Sequence, residues 1–99
     1  MAIGEIILLP GVEKTERGED EVELRVGGKP FAHLHGSDRI EVRLPPDMKE
    51  SLVARGMASR SPEVHDREGW VTLKVTEALS FPQIMRVLQE AYRFTSSTL

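Results

Sequence analysis

Alternation of apolar and polar residues predicts β-structure in the middle of the chain. The pattern covers Glu21–Val26 and returns over Ile40–Leu44, and a period of two is typical of strands with one buried face. Gly27-Gly28 supplies the positive φ that a hairpin turn needs, so we interpret Pro30–His35 as the return strand. These segments predict three short antiparallel strands in a meander.

The second half of the chain predicts two helices and a fourth strand. Proline in a first helical turn sacrifices no hydrogen bond, which favours a helix over Pro46–Arg55. Trp70–Val75 is rich in strand-forming residues. Ser80 and Gln83 have capping-box spacing at the start of a segment whose apolar residues follow helical periodicity, so a second helix is predicted over Ser80–Phe94.

The predicted fold class is α+β, a single domain over residues 1–99 with an antiparallel sheet of about four strands and two helices packed on one face. Thr15–Asp20 and Met57–Glu68 are predicted loops, and Ile3–Leu9 fits either a strand or a helix. The predicted core combines one sheet face with the helical stripes: Val22, Leu24, Val26, Leu34, Val42, Leu52, Val71, Leu73, Ile84, Leu88 and Tyr92.

Composition narrows the classes of function. A net charge of −3 argues against nucleic-acid binding, which requires a basic surface. The absence of cysteine excludes disulfides and zinc–thiolate sites and fits a cytoplasmic protein. No apolar run of about 20 residues predicts a membrane span, and Met1–Leu9 lacks the basic start of a signal peptide.

His33 and His35 are the most informative candidate residues, because side chains two apart on a strand share a face. The hairpin loop decides which face that is. A two-residue loop pairs Val22 with His33 and turns both imidazoles into the core. A three-residue loop including Lys29 pairs Val22 with Leu34 and leaves the histidines on the open face, and we favour it because it buries Leu34.

On the open face, His33 and His35 would lie between Glu23 and Glu41. Two imidazoles and a carboxylate can hold a divalent metal such as Zn²⁺ or Fe²⁺. The candidate metal ligands are therefore His33 and His35, with His65 or Glu41 completing the site. The neighbouring acids are expected to raise the pKa of both histidines above about 6.5, giving stability that is present at low pH and lost as the pH rises.

Two hypotheses of function follow. No Gly-x-Ser-x-Gly motif or phosphate-binding loop is present, so the leading one is a small non-catalytic binding or interaction domain. Its candidate ligand-binding residues are His33, His35, Glu41 and Trp70, although tryptophan is more often a core anchor. We expect the partner to be a protein, a small molecule or a second copy of the chain. The alternative is a metal-dependent enzyme using the His-x-His site, with catalytic residues that the sequence does not identify.

Four motifs resemble the luciferase-domain family of small bacterial and fungal proteins: Leu9-Pro10-Gly11-Val12, Val26-Gly27-Gly28-Lys29, Phe31-Ala32-His33-Leu34-His35-Gly36 and Gly69-Trp70-Val71. His33 and His35 match the paired histidines of that family. Ser61 and Glu41 stand where some members have further histidines, and His65 is the candidate replacement. The family name implies no light emission.

The chain also resembles the YjbR/MmcQ-like group. The Leu9–Val12 start, the Val26–Lys29 turn and the Trp70 strand are shared with it, whereas the His-x-His pair is not. This resemblance implies an antiparallel sheet with packed helices. Some members of the group have been linked to DNA binding, which the acidic composition of this chain does not support.

Overall fold

The fold is an antiparallel sheet with two helices. A computed structural model describes residues 6, 8–36, 39–60, 68–75 and 79–99. The elements in chain order are strands β1 (Val12–Glu16), β2 (Glu21–Val26), β3 (Lys29–His35) and β4 (Arg39–Arg43), helix α1 (Pro46–Ala54), strands β5 (Ala58–Arg60) and β6 (Trp70–Leu73), and helix α2 (Phe81–Ser97).

The sheet has six strands in the order β1-β2-β3-β4-β6-β5. The α+β class, the β2–β4 meander and the Trp70 strand are confirmed, but four strands was too few. The missing strands lie at the two edges. β1 is almost entirely exposed and pairs with β2 through its backbone, while β5 is only three residues long inside the predicted Met57–Glu68 loop. Neither offers an alternating pattern to detect.

The β2–β3 hairpin has the residue pairing that was predicted, but its turn differs from the predicted turn. Val26 pairs with Lys29 across a two-residue turn, in which Gly27 and Gly28 have φ of 57° and 80°. Positive φ at both central residues defines the turn type that suits the twist of paired strands. The three-residue loop was therefore wrong.

A β-bulge restores the predicted register. The pairing shifts between Leu24 and Arg25, so that Leu24 lies opposite Ala32 and Val22 opposite Leu34. The extra residue is Phe31, which is fully buried and packs edge-on against Tyr92, with ring centroids 5.8 Å apart. A bulge places two residues of one strand opposite a single residue of the other. It thereby allows Phe31 to point into the core, which a regular register would not allow.

The core lies between the sheet and both helices. Of its predicted members, Val22, Ile84 and Tyr92 are only partly buried, and the others are buried. The structure adds several buried apolar residues that were not predicted: Ile6, Phe31, Leu44, Ala58, Met85, Val87 and Ala91.

Both helices begin close to where the sequence predicted. The capping box of α2 is formed, since the Ser80 N–H donates to Gln83 Oε1 at 2.8 Å and the Gln83 N–H to Ser80 Oγ at 3.4 Å. α2 runs to Ser97, three residues past the predicted end, and α1 stops at Ala54. Within 3–9, the structure describes residues 6, 8 and 9, and Ile6 has helical backbone. No helix in the described part of the chain is long and apolar enough to cross a membrane.

Candidate ligand and metal site on the open sheet face

The sheet face opposite the helices, called the open face, carries a row of polar side chains. Glu23, His33, Glu41, Thr72 and Ser59 occupy successive cross-strand positions on β2, β3, β4, β6 and β5. The row follows from the alternation of side chains along each strand, since the residues next to these point to the opposite face, into the core. The structure therefore places the two predicted histidines on the open face.

Glu23 is a buried carboxylate at the centre of a charged network. It is only 2% exposed, and its carboxylate accepts hydrogen bonds from Arg17 Nη1 at 2.8 Å and from Arg25 Nε. Burial opposes ionisation of Glu23, but the Arg25 hydrogen bond and the Arg25, Arg17 and His33 charges together outweigh burial and hold its pKa below the usual value. Glu23 is therefore a fixed negative charge at the floor of the site.

His35 lies between two carboxylates. Its Nε2 is 2.9 Å from Glu41 Oε1, and its Nδ1 is 3.9 Å from Glu21 Oε2. The ring centroids of His33 and His35 are 6.2 Å apart. Glu41, one of the predicted ligand-binding residues, therefore acts as the hydrogen-bond partner of His35.

His33 contradicts the expected direction of its pKa. Its Nε2 is 3.3 Å from Glu23 Oε1, and its side chain is 25% exposed. Burial lowers the pKa of His33 and outweighs the opposing attraction of Glu23 and Glu41. The expectation of a raised pKa is therefore wrong for His33, because desolvation at this position exceeds the effect of the acids.

Trp70 is buried on the open face and lies outside the hydrophobic core cluster. It is 8% exposed, and its indole meets the His33 ring with centroids 4.9 Å apart and planes at 82°. Gly69 sets this position. It has φ of +100°, and a Cβ there would lie 2.6 Å from the Leu44 carbonyl oxygen. A residue with a side chain would push the start of β6 away from the chain that follows β4.

A small cleft opens beside this tryptophan. The Trp70 cleft has a volume of about 210 Å³ and is lined by Glu23, Pro30, His33, Glu41, Glu68 and Trp70. Pockets for drug-sized ligands have volumes of about 300–1,000 Å³, so this cleft suits one side chain or a small molecule. Three of its described lining residues are acidic, and none is lysine or arginine.

Next to the cleft, three side chains could hold a metal ion. Glu21, His33 and His35, called the histidine cluster, each place one ligating atom within 4.8 Å of the other two. His65, the predicted third ligand, lies outside the described residues. Sequence reasoning missed Glu21, although the predicted pairing of Val22 with Leu34 already sets Glu21 opposite His35. Glu68 was also missed, since it lies in a loop without strand periodicity.

The fold and site define an α+β protein with a six-stranded antiparallel sheet and an acidic, histidine-bearing open face. A model of the YjbR family matches residues 8–94, and the chain belongs to that family. The LPGV start, the glycine turn and the Trp70 strand lie within this match. The resemblance to the YjbR/MmcQ-like group is therefore confirmed. The resemblance to the luciferase-domain family rested on these motifs together with the His33/His35 pair, which the YjbR/MmcQ-like group does not share.

A solved structure has the same fold. The crystal structure of the Deinococcus radiodurans protein DR2400, a DUF419 domain, superposes with a TM-score of 0.72 at 16% identity, covering 95% of this chain and 75% of that one. At this identity the likeness shows the fold alone. A comparison with curated protein sequences gives no match.

Proposed function

We propose that this chain is a small binding domain whose Trp70 cleft binds a single organic cation, such as a guanidinium or ammonium group. One observation supports the proposal above the others: three carboxylates and an indole line one cleft, with no lysine or arginine among the described lining residues. Cationic groups are attracted both to carboxylates and to the faces of tryptophan rings.

Of the three carboxylates that line the cleft, two favour a positively charged guest. Glu23 is buried and ionised at the floor, where its own charge is balanced by Arg17 and Arg25. Glu68 is exposed at the rim, and its backbone carbonyl accepts a hydrogen bond from Arg43 Nε at 2.8 Å. The Glu68 carboxylate and the half-buried Glu41 are therefore the acids best placed to meet an incoming cation.

The only tryptophan of the chain is Trp70, so fluorescence reports directly on the cleft. We expect methylguanidinium to change the Trp70 emission in a saturable manner, at concentrations that leave the far-ultraviolet circular dichroism unchanged. The neutral analogue methylurea has nearly the same shape and should have no such effect. An equal response to both compounds, or no saturation with methylguanidinium, would contradict the proposal.

Variants assign the response to the cleft. Glu68→Gln keeps the shape of an exposed side chain and removes its charge, so it should weaken methylguanidinium binding several-fold. Glu16→Gln is the matched control, because Glu16 is 72% exposed on β1 and does not line the cleft. Equal affinities of these two variants would count against the proposed site.

The remaining expectations about function stay predictions. The alternative function is a metal-dependent enzyme that uses the His-x-His site. Such an enzyme would need a bound metal ion and, in addition, catalytic residues. The open face is also predicted as a surface on which a second copy of the chain could bind. Trp70 fluorescence measured as a function of protein concentration tests this self-association.

A further inference from the structure

We propose that Glu21, His33 and His35 bind a divalent first-row transition-metal ion, with Zn²⁺ as the best fit. The inference goes beyond the proposed cation cleft, because Glu21 and His35 do not line that cleft. His33 borders both sites. The proposal stands on the geometry of the histidine cluster, the orientation of its rings and the chemistry of its ligating atoms.

The geometry is that of an open metal site. One ligating atom from each residue lies within 4.8 Å of the other two, and His35 Nδ1 and Glu21 Oε2 are already 3.9 Å apart. Ligands at about 2.0–2.1 Å from a tetrahedral zinc ion lie about 3.4 Å from one another. Closure from the 4.8 Å limit therefore requires shifts of up to about 1.4 Å, to which rotation of the 40% exposed Glu21 side chain can contribute.

A carboxylate outside the cluster orients His35 through a hydrogen bond, and a second carboxylate lies close to His33. His35 Nε2 is 2.9 Å from Glu41 Oε1, and His33 Nε2 is 3.3 Å from Glu23 Oε1. When Nε2–H donates to a carboxylate, Nδ1 keeps the lone pair that binds a metal. Histidines that ligate metals commonly have such a second partner, which fixes the ring and its tautomer. In His35 the free Nδ1 already faces Glu21.

The donor set selects the class of ion. Two imidazole nitrogens and one carboxylate suit zinc and its neighbours in the transition series, whereas Mg²⁺ and Ca²⁺ prefer oxygen ligands only. Three protein ligands leave at least one coordination position for water or for a group of a partner.

Cobalt is the probe that tests this site. Protein without a histidine tag is stripped with a chelator and titrated with Co²⁺ at pH 7.5, followed by visible absorption and by quenching of Trp70, whose ring is 4.9 Å from His33. We expect saturation at one ion per chain, displacement by Zn²⁺ and no response to Mg²⁺. Absence of saturable Co²⁺ and Zn²⁺ binding would overturn the proposal.

Three variants assign the ligands. Glu21→Gln, His33→Gln and His35→Gln should each weaken Co²⁺ binding by about tenfold or more. Glu13→Gln is the control, because Glu13 is exposed on β1 and lies outside the cluster. Circular dichroism checks folding, and Glu21→Gln decides the question if a histidine variant fails to fold, since the Glu21 side chain is 40% exposed. Unchanged affinity in Glu21→Gln and His35→Gln would overturn the assignment.

The same variants separate this inference from the proposed function. Glu68→Gln alters the cleft and should leave Co²⁺ binding intact, whereas Glu21→Gln alters the histidine cluster and should leave methylguanidinium binding intact. Failure of one site therefore shows in one titration and not in the other.

Discussion

The imidazole of His33 meets the indole of Trp70 edge to face, with ring centroids 4.9 Å apart and planes at 82°. The two residues belong to β3 and β6, which are not neighbours, because β4 lies between them. The contact therefore passes over β4 on the face opposite the core. It joins the Trp70 cleft to the histidine cluster and makes the single tryptophan a reporter of His33.

The first prediction concerns the titration of His33 in metal-free protein. Protonated imidazole quenches nearby indole fluorescence, so Trp70 emission should fall as His33 gains its proton. Burial lowers the pKa of His33, and the midpoint should lie below the reference of about 6.5. A midpoint at or above that reference would contradict the assignment. His33→Gln should abolish the transition, and His35→Gln should retain it.

The free energy of unfolding should also depend on the protonation of His33. Because the folded pKa of His33 is lowered, the unfolded chain binds the proton first as the pH falls below about 6.5. The folded state therefore loses stability from that pH downward, until the pH passes the folded pKa. His33→Gln should flatten this part of a urea-unfolding profile. This direction is the reverse of that predicted from the sequence.

The second prediction concerns Glu23. Glu23→Gln leaves Arg17 and Arg25 without their buried carboxylate, and we expect a loss of about 1–3 kcal/mol at neutral pH, as for charged hydrogen bonds. The pKa of Glu23 is lowered, so its contribution is present above the unfolded pKa of about 4.3 and is lost as the pH falls through the folded pKa. Urea unfolding at several pH values measures both effects. A loss no greater than that of the exposed Glu16→Gln would contradict the network.

Local patterns predicted the elements that have local causes. The capping box at Ser80 and Gln83 involves four neighbouring residues, and the alternation over Glu21–Val26 reflects one buried face. The β1 strand has no such signal, since its residues pair through the backbone at an edge. The bulged residue Phe31 packs against Tyr92, which lies far along the chain, so no local pattern indicates the bulge.

The candidate site was predictable to the same extent. Burying Leu34 was enough to place His33 and His35 on the open face. The pKa of His33 was not predictable, because its desolvation depends on how distant parts of the chain pack around it. Glu21 could have been predicted as a site residue, since the correct hairpin register alone places it opposite His35.

The third prediction concerns Thr95 in α2. Thr95 is fully buried, and its Oγ1 has no hydrogen-bond partner within the described part of the chain. Thr95→Val replaces the hydroxyl by a methyl of similar size, and we expect a gain of about 1 kcal/mol in the free energy of unfolding. Thr98→Val is the control, because the Thr98 hydroxyl donates to the Thr95 carbonyl at 2.8 Å, and it should give no gain. Destabilisation by Thr95→Val would show that the hydroxyl is satisfied.

The fourth prediction concerns Gly69, which places Trp70. Its φ of +100° disfavours any side chain, and a Cβ would lie 2.6 Å from the carbonyl oxygen of Leu44, which is backbone and cannot rotate away. The Leu44 N–H also donates to the Gly69 carbonyl at 2.9 Å, so this approach is part of the pairing between the two segments. Gly69→Ala should therefore destabilise the protein by about 2 kcal/mol or more.

The matched control for this variant is Gly18→Ala. At Gly18 the backbone φ is not in the left-handed region, and the nearest atom to an added Cβ is 3.9 Å away, so stability should change little. Gly69→Ala should also shift the Trp70 emission to longer wavelength, because displacing the start of β6 exposes the indole to water. Unchanged stability and emission in Gly69→Ala would show that the close approach of Gly69 to Leu44 does not position Trp70.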